Sequence, residues 1–110
     1  MIVSEKNVQT ALEYLAIDPH PLALAIKDVT DAENKAKQTF ARLFLSYNTG
    51  PIAEREARAT CNPEYMQAKD EEADAIKEVE RHRSRKRAAE MLLEVWRTEN
   101  ANARAAERIR

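Results

Sequence analysis

The sequence predicts an all-α fold: a long antiparallel helical hairpin, coiled-coil-like, with an additional N-terminal helix. Three observations carry this reading. The 110 residues hold a single glycine, Gly50, while 34% are charged and alanine supplies much of the apolar content. Alanine and straight-chain residues lose the least entropy in a helix. Apolar residues recur by threes and fours over long stretches, the period of one helix face. The four prolines, Pro19, Pro21, Pro51 and Pro63, cluster at two breaks, and no Pro or Gly follows Pro63. A chain of this length is expected to be one helical domain spanning residues 1–110.

Ser4 can cap a first helix over 5–17, with Val8, Ala11, Leu12, Leu15 and Ala16 on one face. The segment DPHP, residues 18–21, ends it, because two prolines so close cannot both sit inside a helix. A second helix is expected over 22–47. Its Leu22, Ile26, Val29, Glu33, Ala36, Phe40, Leu43 and Tyr47 form a heptad seam with one charged intruder. SYNTGP closes it, with Gly50 free to take a left-handed cap. A short helix over 52–60 follows. NPEY then reads as a start signal: Asn62 as N-cap, Pro63 in the first helical position, Glu64 in the first turn. The helix it opens is expected over 63–108, about 68 Å long at 1.5 Å per residue. Tyr65, Met66, Ala73, Ile76, Val79, Ala88, Met91, Leu92, Val95 and Trp96 are its apolar positions.

Setting Tyr47 against Tyr65 makes partner numbers in the hairpin sum to about 112. Phe40 then faces Ala73, Ala36 faces Ile76, Leu22 faces Met91, and Glu33 falls near Val79 to Arg83. A seam carboxylate opposite arginines would fix the register. Leu22 and Ile26 on one helix, and Met91, Leu92, Val95 and Trp96 on the other, are apolar round more than one face. They are expected to be core or oligomer contacts, and their excess predicts a homo-oligomer.

Several functions are excluded by what the sequence lacks. It has no glycine-rich phosphate loop and no Ser-His-Asp set, so an enzyme is not expected. Cys61 is the only cysteine, and His20 and His82 stand apart, a poor metal set. No cofactor is expected. The longest apolar run, PLALAI, is too short to span a bilayer, and MIVSEKNV has no apolar core of signal length, so a cytoplasmic protein is expected.

The positive signal is a charge switch. Residues 64–80 hold seven acids against Lys69 and Lys77; residues 81–87 hold Arg81, Arg83, Arg85, Lys86 and Arg87 and no acid. On a helix Arg81, Arg85 and Ala88 share one stripe, and Arg83 and Arg87 another. Guanidinium groups bind phosphates bidentately and release counterions, so these five are the candidate nucleic-acid site of a nearly neutral protein. The competing reading pairs them with Asp28, Asp31 and Glu33 across the hairpin and with Glu78, Glu80 and Glu90 nearby. Trp96 could stack on a base, but its alignment with Leu92 and Leu93 favours packing. The last turns offer a narrow strip of Ala101, Ala105 and Ala106, flanked by Arg97, Arg104, Arg108 and Arg110.

The layout SYNTGPIAEREA, NPEY, RSRKRAAEMLLEVWRTENAN resembles small helical proteins of bacteriophages and prophages, and more distantly is similar to recombination mediators of the UvsY type. That resemblance covers residues 46–102 in organisation. It implies binding of single-stranded DNA, assembly into rings through helices, and help in loading a recombinase. In that family a basic turn containing Tyr and Gly touches DNA. The matching turn here has Tyr47 and Gly50, with Arg55 and Arg58 offset by Glu54 and Glu56. The expected function is thus a phage-type accessory protein that binds single-stranded nucleic acid, a recombination mediator acting as a homo-oligomer. The alternative is a protein-interaction module, a small phage inhibitor or adaptor, that binds no nucleic acid.

Overall fold

The computed structural model describes residues 2–109, and they are all-α, with no strand among them. Four helices follow one another: α1 (Glu5–Leu15), α2 (Pro21–Ser46), α3 (Ile52–Cys61) and α4 (Pro63–Ile109). Each begins and ends within two residues of the expected bounds. The start signals work as local chemistry predicts. Ser4 accepts a hydrogen bond from the Asn7 amide, satisfying one of the orphan donors of α1. Asn62 Oδ1 accepts from the Glu64 amide at 2.8 Å, and its Nδ2 donates to the Tyr47 hydroxyl at 2.9 Å. That one side chain caps α4 and ties its start to the end of α2. Gly50 has φ +95°, and a Cβ there would also meet Glu54 Oε2 at 3.1 Å, so the turn before α3 needs glycine.

The chain divides into two compact units. One comprises residues 22–80. In it α2 runs antiparallel to the first half of α4: Lys35 Nζ bonds Glu71 Oε2 at 2.7 Å, Arg42 pairs with Glu64, and the Phe40 and Tyr65 rings meet edge-on at 5.3 Å. Ala36, Thr39, Leu43, Ala59, Ala68 and Val79 are buried there. Arg55 of α3 lays its guanidinium over the Phe44 ring at 5.0 Å. This is the expected helical hairpin.

The hairpin's register is not the expected one. Lys35 with Glu71 and Arg42 with Glu64 both give partner numbers summing to 106, so α4 is displaced by about six residues from the pairing built on Tyr47 and Tyr65. Phe40 meets Tyr65 rather than Ala73. Glu33 lines a groove with Lys69 and Glu72, eleven residues before Arg83 on α4, about 16 Å along the helix. It therefore does not face the arginines, and the pairing of Glu33 with that run is overturned. The reason lies in residue size. Six of the eleven buried apolar side chains are alanine, so the helices approach closely over small residues while larger ones flank the contact. The inner stripe of α4 runs Tyr65, Ala68, Glu72, Ala75, Val79, His82, Ala89, Leu93, Trp96, Asn100, all buried or half-buried, in heptad spacing broken only where the exposed Lys86 would fall. Met66, Ala73, Ile76, Ala88, Met91 and Val95, expected to face inward, are exposed. On α2 the buried stripe passes through Ala25 and Thr39, and Ile26 is 45% exposed.

The other unit comprises residues 1–21 and 81–110, of which 2–109 bound the description. There α1 lies antiparallel to α4. Tyr14 reaches His82, Ala11 packs near Ala89, and the Ile2 amide donates to Glu99 Oε1 at 2.8 Å. Leu15, Leu92 and Leu93 complete the cluster around Ala11, Tyr14 and Ala89. Residues 101–109 are exposed throughout.

Candidate nucleic-acid interface

Arg81, Arg83, Arg85, Lys86 and Arg87 lie on one uninterrupted stretch of α4, and all five are exposed. Their partners decide how much charge faces solvent. Opposite them α1 presents the ring of Tyr14. Arg85 sets its guanidinium 4.1 Å from the centre of the Tyr14 ring, a cation–π contact that holds the side chain without neutralising it. Tyr14 is the most buried residue of this unit, 3% exposed. Its hydroxyl donates to the His82 carbonyl at 3.3 Å and lies 3.4 Å from His82 Nδ1. The His20 ring meets it edge-on at 4.9 Å. Arg81 Nη2 approaches His82 Nε2 at 3.3 Å. One tautomer satisfies this chain: Nδ1–H donates to the Tyr14 hydroxyl, and Nε2 accepts from Arg81.

The carboxylates named as candidate partners of the run are partly engaged elsewhere. Asp31 pairs with Lys27 at 3.2 Å on its own helix, and Glu33 sits by Lys69 and Glu72. Glu90 is the nearest acid to Lys86, at 3.9 Å one turn on. Arg81 and Arg83, like Glu78 and Glu80, each make a further contact. Exposed pairs of this kind contribute about 0–1 kcal/mol and exchange readily with a competing anion. The run is therefore a set of solvent-facing cations held in place by local contacts, with Arg85 fixed on Tyr14.

The remaining sequence candidates separate. Leu22, Leu92 and Trp96 are half-buried, and Leu92 belongs to the packing round Tyr14. Met91, 63% exposed, and Val95, 41% exposed, are not core residues, and neither is Ile26. Trp96 sits beside a shallow cleft with Arg97, Asn100, Ala103, Arg104 and Glu107. Tyr14 was missed in the sequence. Its signal was its place three residues after Ala11 on the packed face of α1: a buried tyrosine needs a partner for its hydroxyl.

In the acidic unit a groove of about 530 Å³ is floored by Ala36, Phe40 and Tyr65 and rimmed by Glu33, Lys37, Lys69 and Glu72. Its rim charges cancel. Glu72 holds the Lys69 ammonium above its ordinary range, chiefly through their hydrogen bond. Lys35 likewise holds the Glu71 carboxyl below its ordinary range. Among the described residues no group of three or more His, Cys, Asp or Glu is placed to hold a metal ion, and no helix is long and apolar enough to cross a membrane.

No protein-family model, no curated protein and no solved structure matches this chain.

Proposed function

We propose that the chain is a binding protein, not an enzyme, and that Arg81, Arg83, Arg85, Lys86 and Arg87 grip the phosphate backbone of single-stranded nucleic acid. One observation carries this reading: five cations stand exposed in seven residues of one helix, with Arg85 seated on the Tyr14 ring. The absence of any acid between residues 81 and 87 supports it further. Like charges so concentrated repel one another, and an anion that spans them relieves the repulsion. In its wider form the proposal makes the chain a phage-type accessory protein for recombination, which rests on the layout of residues 46–102 alone.

The test is a gel-shift titration with oligo-dT at two salt concentrations. Affinity should be measurable at low salt and fall steeply as salt is raised. Wild-type protein that binds neither single-stranded DNA nor RNA at low salt would remove the proposal.

A further inference from the structure

In the unit that carries the arginines, α1 covers only one side of α4. Ala89, Leu92 and Leu93 pack toward Ala11 and Tyr14. At about 100° per residue, Ser84, Met91, Val95 and Thr98 sit roughly 180–240° round from Ala89, on the far side, and Ala88, at about 260°, borders them while also edging a cleft with Asn7, Thr10 and Tyr14 of α1. All five are exposed. They form one stripe in strict 4-3-4-3 spacing, with small residues at one end and larger apolar ones toward the other. The Thr98 hydroxyl donates to the Glu94 carbonyl at 3.1 Å, so it is satisfied within its own helix. The stripe thus resembles an interhelical seam that the described residues leave exposed.

We propose that a second copy of this chain covers it, helix α4 against helix α4, antiparallel, with Met91 on the twofold axis. Charge favours this occupant. Beside the stripe, on one edge, stand Arg87 and Glu94, both exposed and seven residues apart. An antiparallel pairing centred on Met91 sets Arg87 against the partner's Glu94 and Glu94 against the partner's Arg87. A parallel pairing would set like against like. The same centring places Ser84 across from the partner's Thr98 and Ala88 across from the partner's Val95, small against large at each step. Such self-complementarity is what an isologous contact requires. A seam of about fifteen residues is short, and the dimer should exchange and depend on concentration.

The arrangement has a consequence that rests on the nucleic-acid reading. It would place the two basic runs at opposite ends of the seam, Ser84 lying about 21 Å along the axis from its counterpart. A strand long enough to touch both would gain from the second contact without any new site.

Sedimentation equilibrium without nucleic acid tests the dimer by itself. Wild type should shift from monomer to dimer across the micromolar to millimolar range. Met91→Gln combined with Val95→Gln, both on an exposed face, should leave the helix content unchanged and raise the dissociation constant about 100-fold. In a Cys61→Ser background, Met91→Cys should give a disulfide-linked dimer under mild oxidation, and Gln38→Cys on α2 should not. Monomer at every concentration, or dimerisation unaffected by the double substitution, would overturn the proposal. Oligo-dT of ~8 and ~30 nucleotides then separates the two readings. The double variant should keep the affinity of the short strand and lose the gain of the long one. A dimer that binds neither strand would sink the nucleic-acid reading and leave the self-association standing.

Discussion

The two units use charge in opposite ways. In residues 22–80, cations and anions meet across helices: Lys35 with Glu71, Arg42 with Glu64. In the unit of α1 and the later part of α4, the cation nearest the partner helix meets a ring instead, Arg85 over Tyr14. A cation paired with a carboxylate is neutralised. A cation laid on an aromatic face is positioned but keeps its charge. The first unit therefore pairs charges across its helices while staying acidic overall, and the second carries a run of exposed cations, one of them seated on a ring. The packing differs too, since the buried residues of the first unit are spread over α2, α3 and α4 whereas the second unit is organised round Tyr14.

That difference predicts unequal responses to substitution. Tyr14→Ala removes the ring, its hydroxyl contacts and the seat of Arg85 together. It should cost about 3–5 kcal/mol, read as a fall in the urea midpoint by Trp96 fluorescence. Tyr14→Phe keeps the ring and should cost only ~1 kcal/mol. A Tyr14→Ala protein as stable as wild type would dissolve the distinction between the units. Leu43→Ala, in the more distributed packing of the first unit, should cost about 2–3 kcal/mol by circular dichroism, less than Tyr14→Ala.

Smaller effects sharpen the register. Glu33 lies beside Lys69 and Glu72, half-buried and far from the arginines along α4. Glu33→Leu should leave the fold intact and change stability by less than ~1 kcal/mol. A loss of several kcal/mol would point to a buried ion pair that the observed register does not contain. The smallest effect concerns acid. Lys35 keeps the Glu71 carboxyl below its ordinary range, first by hydrogen bond and then by charge. The folded state therefore binds that proton less readily than the unfolded state. Its contribution is present above about pH 4.3, the ordinary glutamate value, and is lost as pH falls through the lower folded value. Lys35→Gln should erase this small acid-limb contribution in a pH series of urea midpoints.

The elements were legible in the sequence because their ends are local chemistry. Ser4, Gly50 and the Asn62-Pro63 pair each act within a few residues, and the helices begin and end close to them. The register was not legible. Apolar spacing on α4 marks two faces; Val79, expected inside, is buried, but bulk also favoured Met66, Ile76, Met91 and Val95, whereas the structure buries Ala68 and Ala89 beside a half-buried Glu72 and His82. Close helix approach selects small residues, and spacing alone carries no weight for size. The basic run could be found because its members are adjacent. The contact of Tyr14 with Arg85 could not, because it joins residues seventy-one apart through the packing of α1 on α4.

The claim that residues 81–87 hold a phosphate backbone is tested most directly by the salt dependence of oligo-dT binding. Arg81→Gln, Arg83→Gln and Arg87→Gln should be combined, sparing Arg85 and hence the Tyr14 cluster. For wild type the logarithm of affinity should fall against the logarithm of salt with a slope of about −2 to −3, three or four phosphates at ~0.7 each. The triple variant, with unchanged helix content, should show a slope near zero and little residual affinity. A wild-type slope that the triple variant reproduces would place the binding elsewhere and contradict the account.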